Sequence, residues 1–158
     1  MFTNFEIMAS PSRSTSFAPK VSFFFDQVKF SLSKRTELKK FIEQLFKKEG
    51  RRLNSLNYVF CSDKKLLEIN RQFLNHDYFT DIITFDLSEA ADSTTAEIYI
   101  SIDRVRDNAI NHDETFQSEL HRVIFHGALH LCGYGDKTSV EKLRMRGRED
   151  HYLSKYKK

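Results

Sequence analysis

At 158 residues, 40% hydrophobic and 30% charged, the chain can build one hydrophobic core and is too short for two independent ones. No run approaches the ~20 apolar residues of a membrane span and no signal-type apolar stretch opens the chain, so a soluble cytoplasmic protein is expected. A net charge of +3 permits a nucleic-acid partner without requiring one, while two cysteines in no CxxC spacing exclude a disulfide framework and a four-cysteine zinc site.

Residues 1–20, with the run SPSRSTS at 10–16, lack apolar periodicity, and a disordered or loosely attached extension is expected ahead of a domain spanning 21–158. Aromatic and β-branched residues at 21–25 and 28–30 predict two short strand pieces. With Ser33 as N-cap, Leu38, Phe41, Ile42, Leu45 and Phe46 form a helical stripe that Gly50 stops. Lys34, Arg35, Lys39, Lys40, Lys47, Lys48, Arg51 and Arg52 crowd this helix and its exit, off the stripe: a solvated face or a track for a phosphate backbone.

Alternation over 56–61 predicts a strand, and Ser62 caps a helix carrying Leu66, Leu67, Ile69 and Phe73. Residues 81–87 and 96–101 read as two further strands, 103–112 as a helix, and 114–132 as a longer helix ended by Gly133. Thr138 and Glu141 have capping-box spacing and open a charged helix through about 154. The expected fold is a single α+β domain, a mixed four-stranded sheet packed with about five helices.

The chemistry concentrates in the run HGALHLCGYGD at 126–136. His126 and His130 are four apart on a helix, so their rings lie about 40° apart around the axis and one turn along it, converging on one point. Gly133 and Gly135 allow the chain to fold back, which brings Asp136 within reach as a third ligand. Two imidazoles, a carboxylate and an open position for water suit a catalytic zinc, with another divalent metal as the alternative. The spacing is that of the HExxHxxGxxH proteases, but Gly127 stands where their general base would be, which disfavours peptide hydrolysis.

The segment His126 to Tyr134 resembles the HGxLHLxGY signature of the YbeY endoribonucleases, the rRNA maturation factors. Residues 70–85 are similar to that family's LNxxYRxxDxxTDVLSF segment and 97–101 to its GDIxIS strand, so the resemblance runs from about Val21 to the last helix. It implies a metal-dependent single-strand endoribonuclease acting at the 3′ end of 16S rRNA and in ribosome quality control, with catalysis by water on a metal held by His126, His130 and Asp136. It also implies ribosomal RNA and the small ribosomal subunit as partners, with a small-subunit ribosomal protein and an assembly GTPase, and no membrane.

Asp136 replaces the family's third His, which makes the site less positive by about one charge. Leu74 falls where the family has a phosphate-contacting Arg; Arg71, three residues earlier, is the candidate substitute, and Thr80 and Asp81 match the family's TD pair at a strand entry. Glu119, two turns before His126, is a candidate to orient a ligand, and His76, His112, His121 and His151 read as surface residues. Two rival readings are a small zinc metallopeptidase whose base is Glu97 or Glu119, and a non-enzymatic, metal-stabilised ribosome assembly factor.

Overall fold

The computed structural model describes residues 19–157, so the expected extension falls almost wholly outside the described residues. The elements in chain order are β1 (Val21–Phe25), α1 (Arg35–Lys48), β2 (Arg52–Cys61), α2 (Asp63–Leu74), β3 (Ile82–Asp86), β4 (Ser93–Ser101), α3 (Ile102–Asn111), α4 (Phe116–Leu131) and α5 (Ser139–Tyr156). The sheet order is β1-β2-β4-β3, with β1 and β4 parallel to β2 and β3 antiparallel to β4. This is the single α+β domain, mixed sheet and five helices that the sequence predicts.

Central strands β2 and β4 alternate over 56–60 and 94–100, with Leu56, Tyr58 and Phe60 beside Ile98 and Ile100 facing the larger core. Helices α1, α4 and α5 close that side through Leu38, Ile42, Phe46, Ile124, Phe125, Ala128, Met145 and Tyr152. A smaller cluster of Cys61, Leu66, Ile69 and Ile83 lies on the other face under α2. Because α4 is packed against the sheet, α1, α3 and α5, it is buried nearly all round, and its apolar surface exceeds the single stripe of an ordinary surface helix. Tyr58, fully buried, donates its hydroxyl to the Ile124 carbonyl and fixes α4 against β2.

Residues 28–30 form no strand. Their apolar side chains go into packing instead: the Phe30 ring meets Phe25, Phe60 and Phe116, and among the described residues β2 is the only strand beside β1. Helix α1 starts one residue later than Ser33 would set it, because Lys34 occupies the N-cap in a left-handed conformation without a side-chain cap. Ser62, Ser101, Thr115 and Thr138 each cap a helix through the side chain, and Thr138 with Glu141 completes the capping box. No helix among the described residues is long and apolar enough to cross a membrane.

Candidate metal centre

Helix α4 ends in a Schellman turn: Gly133, at φ 101°, donates its N–H to the His130 carbonyl, and the Tyr134 N–H reaches the Leu129 carbonyl. The chain reverses there, and Asp136 returns to the two histidines. Its Oδ2 lies 3.2 Å from His130 Nε2 and 3.5 Å from His126 Nε2, and the three ligand atoms lie within 4.8 Å of one another. With bonds of about 2.0–2.1 Å, a tetrahedral zinc places its ligand atoms roughly 3.3 Å apart.

The far side of each ring fixes which nitrogen is free. His130 Nδ1 is 2.8 Å from the Tyr134 carbonyl, which can only accept, so that nitrogen carries the hydrogen. His126 Nδ1 is 2.6 Å from Oε1 of Glu149 on α5, and it donates to that carboxylate. Both Nε2 lone pairs are thereby aimed at the Asp136 oxygen: three acceptors converge with no hydrogen among them. A cation, or an extra proton on a ring, resolves that repulsion, and the donor set fits a divalent transition metal.

Burial pulls His126 toward the neutral form, but the Glu149 hydrogen bond and charge, aided by Asp81 and Asp136, outweigh it and raise its pKa. Glu149 shows the reciprocal effect. Burial would raise it, yet His126 and Arg122 hold its carboxyl below the usual range. Arg122 donates to both Glu149 and Asp150, so the acid that aims His126 is itself anchored.

The turn is anchored from another direction. The Tyr134 hydroxyl donates to Glu49, at the C-cap of α1, which also receives Tyr152 and Arg148. Burial opposes ionisation of Glu49, but those three partners hold its pKa down.

The ligands open onto a cleft of about 510 Å³, whose walls include Asn70, Leu74, His76, Tyr78, Thr80, Asp81 and Asp86. Buried Asn70 donates to the Tyr78 carbonyl and holds the 75–80 loop at the rim. Thr80 and Asp81 both face this cleft. Thr80 bonds to the Ile82 carbonyl, and Asp81 accepts from Asn108. Arg71 is not among the lining residues; it pairs with Asp77 on exposed surface.

Several readings change. Glu119 does not orient His126: it is buried 3.9 Å from His112 Nδ1 and Arg122 Nε, and Glu149 from α5 holds that place because α5 lies across the His126 side of α4. His76, exposed, lines the cleft and stacks on Tyr78, whereas His121 is half-buried among Phe125 and Tyr156 and is not a surface histidine. Glu97 accepts from Tyr99, and neither it nor Glu119 lines the cleft, so neither stands where a peptidase would need its base. Gly127 is required by packing: a Cβ would sit 2.8 Å from Ile82 Cδ1 and 2.9 Å from Ile98 Cδ1.

Glu149 was the functional residue that local spacing missed. The available signal was an acid on the buried stripe Met145, Glu149, Tyr152, where only apolar residues are expected.

A family model described as Endoribonuclease YbeY matches residues 24–157. Among curated relatives, "Endoribonuclease YbeY" of Cytophaga hutchinsonii is 50% identical over 134 residues, covering 85% of this chain and 94% of its own. The protein of the same name from Phocaeicola vulgatus is 43% identical, covering 85% and 96%. The solution structure of TM1509 from Thermotoga maritima superposes with a TM-score of 0.58 at 30% identity, covering 86% of this chain and 88% of that one.

Proposed function

Since this chain belongs to the endoribonuclease YbeY family, we propose that it is a metal-dependent endoribonuclease, a hydrolase of RNA phosphodiester bonds that works in ribosomal RNA processing. The observation that carries this reading is the convergence of His126 Nε2, His130 Nε2 and Asp136 Oδ2 on the wall of an open cleft, with both rings fixed from behind. When bound, a divalent ion supplies Lewis acidity to a phosphoryl oxygen and acidifies water. The chain's own residues do the rest. Glu149 and the Tyr134 carbonyl hold the ring hydrogens at Nδ1, so the Nε2 atoms stay available throughout turnover. Tyr78 and His76, stacked at the rim, offer a platform for an unpaired base, which favours single-stranded RNA.

Zinc is the metal that two imidazoles and a carboxylate suit best; the site of action is the cytoplasm; the substrate is the 3′ end of 16S rRNA. The small ribosomal subunit is the partner, with a small-subunit ribosomal protein and an assembly GTPase. Neither the peptidase nor the purely structural reading gains support, since neither Glu97 nor Glu119 lines the cleft and the ligand atoms face open space.

Elemental analysis of the purified protein, beside incubation with single-stranded RNA and with casein, tests this reading. The expected result is about one metal per chain and cleavage of RNA alone, with both lost in His130→Ala and Asp136→Ala. Casein cleavage without RNA cleavage, or a protein that holds no metal and gains none on titration, overturns it.

A further inference from the structure

The cleft that gathers the ligands carries no lysine or arginine among its described lining. Asp81, Asp86 and Asp136 face it, and Leu74 stands where the family resemblance expects an arginine. Three carboxylates against one divalent ion leave that wall net negative. A polyanion gains its affinity from lysine and arginine contacts with phosphates, so the binding energy for RNA has to come from beyond this wall.

A second groove, of about 540 Å³, lies where α1 meets the start of β2. Lys20, Lys40, Lys47, Arg51 and Arg52 line it, and Glu43 is the one acid among its lining residues. That balance of +4 exceeds the +3 of the whole chain, so the rest of the protein is slightly negative. None of the five cations is held in an ion pair among the described residues. Lys40 and Lys47 are two turns apart on α1, ~10.5 Å, so the charge is spread along a line.

Arg51 lines this groove and approaches the turn that follows α4. Its Nη2 would lie 3.4 Å from a Cβ placed on Gly133, in the turn that carries Asp136. On the cleft wall, Ser88 hydrogen bonds and the Arg51 charge hold the Asp86 carboxyl low.

We propose that the groove between α1 and β2 is a phosphate-backbone track for single-stranded RNA, which leads the strand past Arg51 into the metal-bearing cleft. The proposal rests on the RNA-cleavage reading for its purpose, but its test reads binding separately from cleavage. The variant Lys40→Ala/Lys47→Ala/Arg52→Ala removes three exposed cations that touch neither the ligands nor the cleft, and circular dichroism confirms its fold. With a 20-nucleotide oligouridine, Kd is expected to rise at least roughly tenfold, and the slope of log Kd against log salt to fall by about 2, near 0.7 per lost phosphate contact. KM for cutting that strand rises with it, kcat stays within about twofold, and cutting of a uridine tetranucleotide too short to reach the groove is unchanged.

An unchanged Kd and salt slope for the long strand overturns the track even if the parent cuts RNA well, and so does a parent that binds no RNA. Loss of polyglutamate binding with RNA binding intact also overturns it, assigning the groove to an acidic protein. If the parent binds RNA with the expected slope but cuts none, the track stands and the nuclease reading fails.

Discussion

Glu149 touches only the back of a ligand, yet the orientation of His126 depends on it. Outer partners of this kind are worth about 10–100-fold in metal affinity. Glu149→Ala is therefore expected to weaken zinc binding within that range, measured by competition with a chromogenic chelator, and Glu149→Gln, which keeps an oxygen acceptor, should recover part of the loss. Equal affinity in all three proteins would show that His126 needs no partner. The three candidate ligands were legible because their convergence depends on local geometry, a helical i, i+4 pair and a glycine turn. Glu149 reaches His126 from 23 residues away through the packing of one helix across another, which no spacing rule encodes. Arg71 illustrates the converse: its chain position suggested a substrate contact, while its side chain is engaged by Asp77.

Among the elements, α4 carries the heaviest constraints, since one face presents the histidines and the next lies against the sheet. Gly127 sits at the closest approach. Alanine there would gain about 1 kcal/mol of helix propensity, but it would press at once on Ile82 and on fully buried Ile98, and overpacking of this kind costs about 1–3 kcal/mol. Gly127→Ala is expected to lower stability by about 1 kcal/mol in urea denaturation; a net gain would mean that Ile82 swings freely into the cleft. From the sequence, Gly127 could be placed on the apolar side of its helix and where a protease has its base, but its neighbours could not be named, because the isoleucines that exclude a side chain come from two strands whose register is a tertiary fact. Strand and helix identities were otherwise legible from periodicity and caps. The exception at 28–30 arose because aromatic residues serve core packing as readily as strand pairing.

For the whole molecule, the acid limb of stability should carry a mark of His121. Burial, aided by the charge of Lys157, pushes its pKa down to about 4, and its Nε2 is buried without a hydrogen-bond partner. The folded state thus binds fewer protons than the unfolded chain between about pH 6.5 and 4. No penalty exists above that window; it grows as pH falls through it and levels off below. Its full size is at most about 3 kcal/mol, less for the ring's partial exposure. His121→Phe, which can keep the packing on Phe125 and Tyr156, should raise Tm more at pH 5 than at pH 7.5, and an equal shift at both would exclude proton linkage as the cause.

The Glu49 carboxylate gathers Tyr134, Arg148 and Tyr152, partners 85 to 103 positions further along the chain. Contacts of such long range close large loops and form late, after the strands between them have paired. The turn that presents Asp136 is therefore expected to assemble late and to open early. In stopped-flow kinetics, Glu49→Gln should speed unfolding severalfold while leaving the folding rate nearly unchanged, the pattern of an interaction absent from the transition state. A slowed folding arm would place this junction in the nucleus instead. Late closure ties competence to completion: a chain caught partway to its native state holds both histidines in a nascent helix but lacks the strut that seats the third ligand, so an unfinished molecule cannot act as a nuclease.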